Sequence, residues 1–199
     1  MNIAVLCSGN GTNLQAIIDA VKSGYIPAKI ALVLSDKADA FALERAKKAG
    51  IETIAFNAGD FKSREDFDKE VVKNLKSRSV GLVVLAGFMR LLSPYFIREY
   101  SNRIMNIHPA LLPSFKGTHG VRDALAYGVR VTGPTVHFVD EELDHGAIIL
   151  QKAVEVMDGD TEETLLERIH KEEHRIYPEA VKLFAEGRLK IKGRKVAIN

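Results

Sequence analysis

With 199 residues, 46% of them apolar, the chain is long enough for one substantial buried core and too apolar for a disordered protein. Its 28 Lys and Arg against 26 Asp and Glu leave a net charge of +2, and no basic block is long enough to track a phosphate backbone, so nucleic acid is not the expected partner. No apolar run reaches bilayer-spanning length and Met1-Asn2-Ile3 carries no basic leader, so a cytoplasmic protein without membrane attachment is expected.

Asn2 to Cys7 is a short apolar run, followed by Ser8-Gly9-Asn10-Gly11-Thr12-Asn13 and then by Leu14, Ile17, Ile18 and Val21 at helical spacing. Strand, tight loop and helix follow from that pattern. The lone Cys7 excludes an internal disulfide and a cysteine zinc site, and reads as core. Ile30 to Leu34 is a second strand, Asp39 to Ala49 a helix, Thr53 to Phe56 a third strand, and Ser63 to Lys76 a helix with Phe67, Val71 and Leu75 on one side. Gly81 to Ala86 is a continuous apolar run, the mark of a parallel strand covered on both faces. The alternation predicts a doubly wound α/β fold with a mainly parallel, Rossmann-like sheet.

Arg103 to Ile107 reads as another strand, and its period of two sends Asn106 and His108 to one face and Ile107 to the other. Pro109 and Pro113 then enforce a stiff loop, because neither has an N–H and each restricts its predecessor. Farther on, Thr135 to Val139 and Ala147 to Val156 form a β-hairpin excursion joined by the acidic loop Asp140-Glu141-Glu142-Leu143-Asp144-His145-Gly146. Asp160, with Glu163 three residues on, is placed to cap a long helix through about Ala185 on Leu165, Ile169, Ile176 and Val181. Gly187 to Asn199 suits a last hairpin around Gly193. No repeat or linker interrupts residues 1–199, so a single domain is expected.

Three groups of residues carry chemistry. The loop Gly9 to Asn13 offers glycine-flanked N–H groups at a helix start, a place for an anion. Leu14 stands where a dinucleotide fingerprint needs its third glycine, and no Gly-Lys-Ser/Thr follows, so one phosphate fits better than a pyrophosphate; a capped βα turn is the plain alternative. His170-Lys171-Glu172-Glu173-His174 matches His-x-x-Glu-His, yet the third ligand of a zinc hydrolase has no evident source, so no metal is expected. Asp144 is the remaining candidate, since a carboxylate beside an imidazole orients it and favours its charged form; a solvated loop acid is the alternative.

Taken together, Ser8 to Leu14, Val84-Leu85-Ala86-Gly87-Phe88-Met89-Arg90, Asn106-Ile107-His108-Pro109-x-Leu111-Leu112-Pro113 and His137 to Asp144 resemble the phosphoribosylglycinamide formyltransferase family over nearly the whole chain. The resemblance implies a formyltransferase-type fold whose N-terminal half binds phosphate and whose C-terminal half binds folate and is catalytic. It implies that 10-formyltetrahydrofolate donates a formyl group to the amine of 5-phosphoribosylglycinamide in purine biosynthesis, with Asn106, His108 and Asp144 as the catalytic set. Ribotide phosphate and ribose would take Gly11, Thr12, Asn13, His170, Lys171, Glu172 and Glu173. Folate would take Arg64, Met89, Arg90, Leu91, Leu92, Asn106, Asp140, Glu141, Glu142, Leu143 and Asp144. The expected partners are these small molecules, with no metal, for a monomer or homodimer. Pro134, His145 and Ala147 depart from the family pattern and touch loop detail rather than the catalytic three. The rival readings are a 10-formyltetrahydrofolate hydrolase, which normally carries a leading regulatory domain, a methionyl-tRNA formyltransferase, which adds a tRNA-binding domain, and a non-catalytic phosphosugar-binding module.

Overall fold

A computed structural model describes all residues from Met1 to Asn199. The chain clusters into two compact units, Met1–Met105 and Asn106–Asn199. In the first, β1 (Asn2–Cys7), α1 (Thr12–Lys22), β2 (Lys29–Ser35), α2 (Phe41–Lys48), β3 (Thr53–Ala55), α3 (Arg64–Ser77), β4 (Val80–Leu85) and α4 (Pro94–Glu99) follow one another. The strands lie in the order β4-β1-β2-β3, and every pairing among them is parallel.

That order reverses direction at β1. Right-handed crossovers therefore put α1 and α2 on one face and α3 on the other, which makes the unit doubly wound, with its switch point between the C-terminal ends of β1 and β4. Being covered on both faces explains the continuous apolar runs: Ile3 to Cys7 and Leu82 to Val84 are fully buried. Each such side chain is worth roughly 1.5–3 kcal/mol of burial, so these two strands anchor the unit. Cys7 is part of this core, and burial, with a smaller contribution from Asp36, pushes its thiol up to about 12.

Helix ends follow local chemistry. The Ser63 hydroxyl accepts from the Asp66 N–H at the start of α3, and Ser93 with Pro94 behind it starts α4 in the same way.

The strand β5 (Ile104–His108) crosses the boundary, and its last three residues open the second unit. There follow α5 (Gly120–Tyr127), β6 (Val131–Thr132), β7 (Thr135–Phe138), β8 (Ile148–Gln151), β9 (Val154–Glu155), α6 (Glu162–Ala185), β10 (Leu189–Lys192) and β11 (Lys195–Ile198). The strand order is β10-β11-β8-β7-β5, with β7 antiparallel to β8 and β10 antiparallel to β11, so both expected hairpins are present.

Two details differ from the sequence reading. The run 147–156 is not one strand: it breaks after Gln151, and β9 leaves to pair with β6 in a separate two-stranded ladder. The long helix is capped by Thr161, not Asp160, because Thr161 and Thr164 form a reciprocal capping box. Asp160 instead accepts from the Met157 N–H and pairs with Arg168, and these contacts hold its carboxyl far below the usual range. The apolar stripe of α6 is buried as expected, with Leu165 and Ile169 packed against Val121 and Val154. Pro178 sits inside this helix and withholds the N–H that would otherwise bond the His174 carbonyl.

Candidate active site

In the first unit, the loop after β1 runs into α1 with Gly11 as the residue before the helix, at φ 76°. That backbone region alone favours glycine. A Cβ there would also lie 2.7 Å from the Ala42 Cβ and 2.8 Å from its Cα, so α2 closes on the loop where only glycine fits. The Ala42 N–H donates to the Gly9 carbonyl at 3.0 Å. Arg45, one turn along α2, donates from Nε to the Asn10 carbonyl and from Nη2 to the Asn10 Oδ1, both at 2.8 Å. The loop is thus clamped from outside by a guanidinium that no sequence motif marks. An open cavity of about 510 Å³ lies along Ser8, Gly9 and Asn10, lined by Lys37, Phe41 and Arg45. Lys37 and Arg45 beside a glycine loop and a helix start favour an anion, opposed by the Asp39 carboxylate in the same lining.

At the switch point, the Ser8 N–H donates to the Gly87 carbonyl at 3.0 Å and the Met89 N–H to the Ser8 Oγ at 2.9 Å. These bonds fix the segment 87–92. Met89 and Leu91 are 68% and 59% exposed, whereas Leu92 is buried and the Arg90 guanidinium lies over the Phe67 ring at 4.6 Å. Arg64 stands at the first position of α3, in the electrostatic reach of Asp68. Burial raises the Asp68 carboxyl, offset in part by bonds from Ser93.

In the second unit, β5 delivers Asn106 and His108, and the loop after β7 delivers Asp144. His108 Nδ1 stands 3.5 Å from Asp144 Oδ2, with the two side chains only 5% and 8% exposed. His108 Nε2 donates to the Phe115 carbonyl at 2.7 Å, and Asp144 Oδ2 accepts from the Gly117 N–H at 2.9 Å. Both nitrogens of His108 therefore face oxygens, surroundings in which an imidazolium leaves neither donor idle. Both groups are also held by the stiff loop after β5, His108 by the Phe115 carbonyl and Asp144 by the Gly117 N–H.

His137 completes the cluster, and the sequence reading passed over it. Its Nδ1 is 2.7 Å from the Phe138 carbonyl, so that nitrogen donates, and Nε2 is left to accept from Asn106 Nδ2 at 3.3 Å. This sets the orientation of the Asn106 amide. Burial pushes His137 below the ordinary imidazole value, opposed by the Phe138 carbonyl and Asp144, which agrees with a neutral ring. Asp144 Oδ1 is 3.7 Å from Nε2, beyond hydrogen-bond range. All four residues of β7 are buried, and a polar ring there must find partners.

The acidic loop is structured by its own residues. Asp140 Oδ1 accepts from the Glu142 N–H at 3.1 Å, and Asp140 Oδ2 lies 2.8 Å from His145 Nδ1. Glu141, Glu142 and Leu143 are exposed. On α6, His170 and Glu173 come within 3.9 Å and Glu173 is buried, while Lys171 is exposed and Glu172 pairs with Arg175 at 3.2 Å. A helix turns about 100° per residue, so these four consecutive side chains cannot share one face. The rings of His170 and His174 stack at 6.3 Å, and burial lowers both. No group of three His, Cys, Asp or Glu side chains able to hold a metal ion is present, and no helix is long and apolar enough to cross a membrane.

A Rossmann-like switch point together with a largely buried Asn, His and Asp cluster defines a class, and the comparison with known proteins gives that class its family. The formyl transferase family model matches residues 1–181, and the chain belongs to that family. It is 51% identical over 191 residues to phosphoribosylglycinamide formyltransferase of Escherichia coli (strain K12), covering 96% of this chain and 90% of that one. It is 50% identical over 190 residues to the trifunctional purine biosynthetic protein adenosine-3 of Drosophila pseudoobscura pseudoobscura, covering 94% of this chain but 14% of that longer protein. Among solved structures, glycinamide ribonucleotide transformylase 1 from Symbiobacterium toebii aligns with a TM-score of 0.98 at 52% identity, over 100% of this chain and 93% of that one.

Proposed function

We propose that this chain is a phosphoribosylglycinamide formyltransferase, an enzyme that moves the formyl group of 10-formyltetrahydrofolate to the amine of 5-phosphoribosylglycinamide in purine biosynthesis. The observation that carries the reading is the convergence of Asn106, His108 and Asp144, from segments far apart in sequence, into one nearly buried cluster. A phosphosugar-binding module has no use for that cluster, and the similar proteins are named as transferases rather than hydrolases.

In the proposed reaction the amine attacks the formyl carbon, forming a C–N bond while the carbonyl oxygen takes up negative charge. The Asn106 amide and the His108 imidazolium donate to that oxyanion. Collapse breaks the bond from the formyl carbon to the folate nitrogen, which receives a proton as the attacking amine loses one, with His108 and Asp144 relaying it. His108 Nε2 must then exchange the Phe115 carbonyl for substrate. His137 is a positioning residue, since it aims the Asn106 amide. No covalent enzyme intermediate and no metal enter this scheme.

Gly11, Thr12 and Asn13 would hold the ribotide phosphate through backbone N–H groups, with Glu173 and His170 toward the ribose. The exposed Met89 and Leu91, with Arg64, Arg90 and Leu92, would supply an apolar and cationic contact to folate, joined by Asp140 to Asp144. We propose that both units serve one formyltransferase domain, acting on small molecules in the cytoplasm as a monomer or homodimer.

The test is to mix the protein with 10-formyltetrahydrofolate and either the ribotide or water alone. Ribotide-dependent loss of the formyl group is expected; loss in water alone at an equal rate would make the chain a hydrolase, and no loss in either would remove the enzyme reading.

A further inference from the structure

The hairpin of β10 and β11 lies beyond residue 181, where the family match ends, and the mechanism above makes no use of it. Its turn nevertheless reaches the acidic loop. Arg194 Nη2 donates to the His145 carbonyl at 2.7 Å, and Nη1 lies 2.6 Å from the His145 Nε2. The same Nη1 is 3.3 Å from Nδ1, so the guanidinium lies against the ring rather than on one lone pair. A carboxylate only accepts, so Nδ1 carries a hydrogen and donates to Asp140 Oδ2 at 2.8 Å. Arg194, His145 and Asp140 form one polar chain across the mouth of the loop.

Asp144 is the residue inside that closure. It sits at φ 46°, in the left-handed region that a non-glycine residue holds only when its surroundings impose it. The far end of the loop is packed closely on β7, because a Cβ on Gly146 would fall 1.9 Å from the Phe138 carbonyl oxygen, and the Phe138 N–H bonds the Ala147 carbonyl at 2.9 Å. The hairpin is itself anchored next door, where Lys195 of β11 pairs with Ile148 of β8. What remains adjustable is the backbone of 140–145: the Gly117 N–H holds the Asp144 carboxylate within it, and Arg194 holds His145 at its end.

We infer that Arg194, acting through His145, is a positioning residue that holds the Asp140–His145 loop so that the Asp144 carboxylate faces His108. Resting on the proposed formyl transfer, this assigns the C-terminal hairpin a part in the reaction rather than in closing the sheet alone.

The experiment compares the full chain with Arg194→Met, Arg194→Lys, His145→Ala and the double variant, by steady-state kinetics and by NMR of the His108 ring. Arg194→Met is expected to lower kcat roughly tenfold, about 1.4 kcal/mol, and to raise KM for folate with KM for the ribotide unchanged. Arg194→Lys should recover part of the loss, since an ammonium can make one of the bonds but not the fork. In the His145→Ala background the Arg194→Met change should cost much less than it does alone. Wild-type kcat and folate KM in Arg194→Met, or an equal rise in both KM values, would overturn the inference. The His108 ring resonances should move in Arg194→Met with no substrate present; unmoved resonances would overturn it even if the chain proved not to transfer formyl groups, in which case only the reading above would fall with the kinetics.

Discussion

The first unit builds its candidate site from backbone, and the second builds its own from side chains. Around Gly9 to Asn13 the donors are main-chain N–H groups, shaped by a glycine at φ 76° and clamped by Arg45. Around His108 the working atoms belong to Asn106, His108, His137 and Asp144, each held by a partner of different chemistry. A backbone site is resistant to side-chain exchange and vulnerable to changes of conformation. A side-chain site has the opposite weakness, and the contrast can be tested in order of expected effect.

The largest effect belongs to His108→Asn. Losing the group that both stabilises charge and moves a proton is expected to lower kcat by about 10²–10⁴-fold, with ribotide affinity little changed. The ring is buried and bonded to the Phe115 carbonyl, so some stability is lost as well, of order 1–3 kcal/mol. Stopped-flow or steady-state assay at saturating substrates, paired with urea unfolding, separates the two; turnover within a few-fold of wild type would remove His108 from the mechanism.

Next in size is Gly11→Ala. A methyl group there meets both the disfavoured φ and the Ala42 backbone, so the loop must move. We expect ribotide binding to weaken at least tenfold and stability to fall by about 1–3 kcal/mol, whereas folate affinity stays near wild type. Calorimetric titration with each ligand decides it. Unchanged ribotide affinity would mean that the phosphate is held elsewhere.

The difference between the two sites also governs what the sequence could reveal. Parallel strands announce themselves as continuous apolar runs, and the glycines between β1 and α1 mark a tight turn, so the first unit was legible from composition and period. The cluster in the second unit depends on contacts that no period encodes. Asn106 and His108 could be placed on one face of β5, but Asp144 could be joined to them only through family resemblance. His137 was missed because a buried histidine within a strand looks like any core residue. Arg45 and Arg194 were missed for a related reason: their partners, Asn10 and His145, lie 35 and 49 residues away. The short helix α4 escaped because six residues give too few turns for an apolar period to show. The cap at Thr161 was read one residue early because Asp160 is an equally good capping residue by type, and only the pairing with Arg168 shows that it is engaged elsewhere.

Arg45→Met gives a smaller effect and sharpens the contrast from the other side. It leaves every backbone donor of the loop in place and removes only the clamp on Asn10. KM for the ribotide should rise about three- to tenfold, with kcat and folate KM unchanged, since a hydrogen bond to a charged group is worth roughly 1.5–3 kcal/mol and this one is partly exposed. A fall in kcat instead would mean that the loop takes part in the chemical step.

The smallest effect concerns stability and pH, and it separates the units cleanly because all 6 histidines lie from His108 onward. Burial lowers His137 in the folded state, and lowers His170 and His174 in the same direction. An unfolded chain binds a proton at each of these rings as pH falls through the ordinary imidazole value near 6.5, while the folded chain resists until lower pH. In that interval the unfolded state holds more protons, so stability is fully present above about pH 6.5 and is lost as pH falls below it, by at most about 1.4 kcal/mol per ring for each pH unit. Asp160 loses its contribution only in the carboxylate range or below, and Asp68, raised by burial, acts with the opposite sign from its ordinary value upward. Urea midpoints at pH 7.5 and 5.5 therefore sample mainly the histidines of the second unit. The wild-type midpoint should drop on acidification, and His137→Gln, which keeps a polar group beside Asn106 but cannot titrate, should drop less. An equal drop in both proteins would mean that His137 takes up its proton over the same pH range folded as unfolded, and the Asn106 amide would then lose this acceptor on acidification.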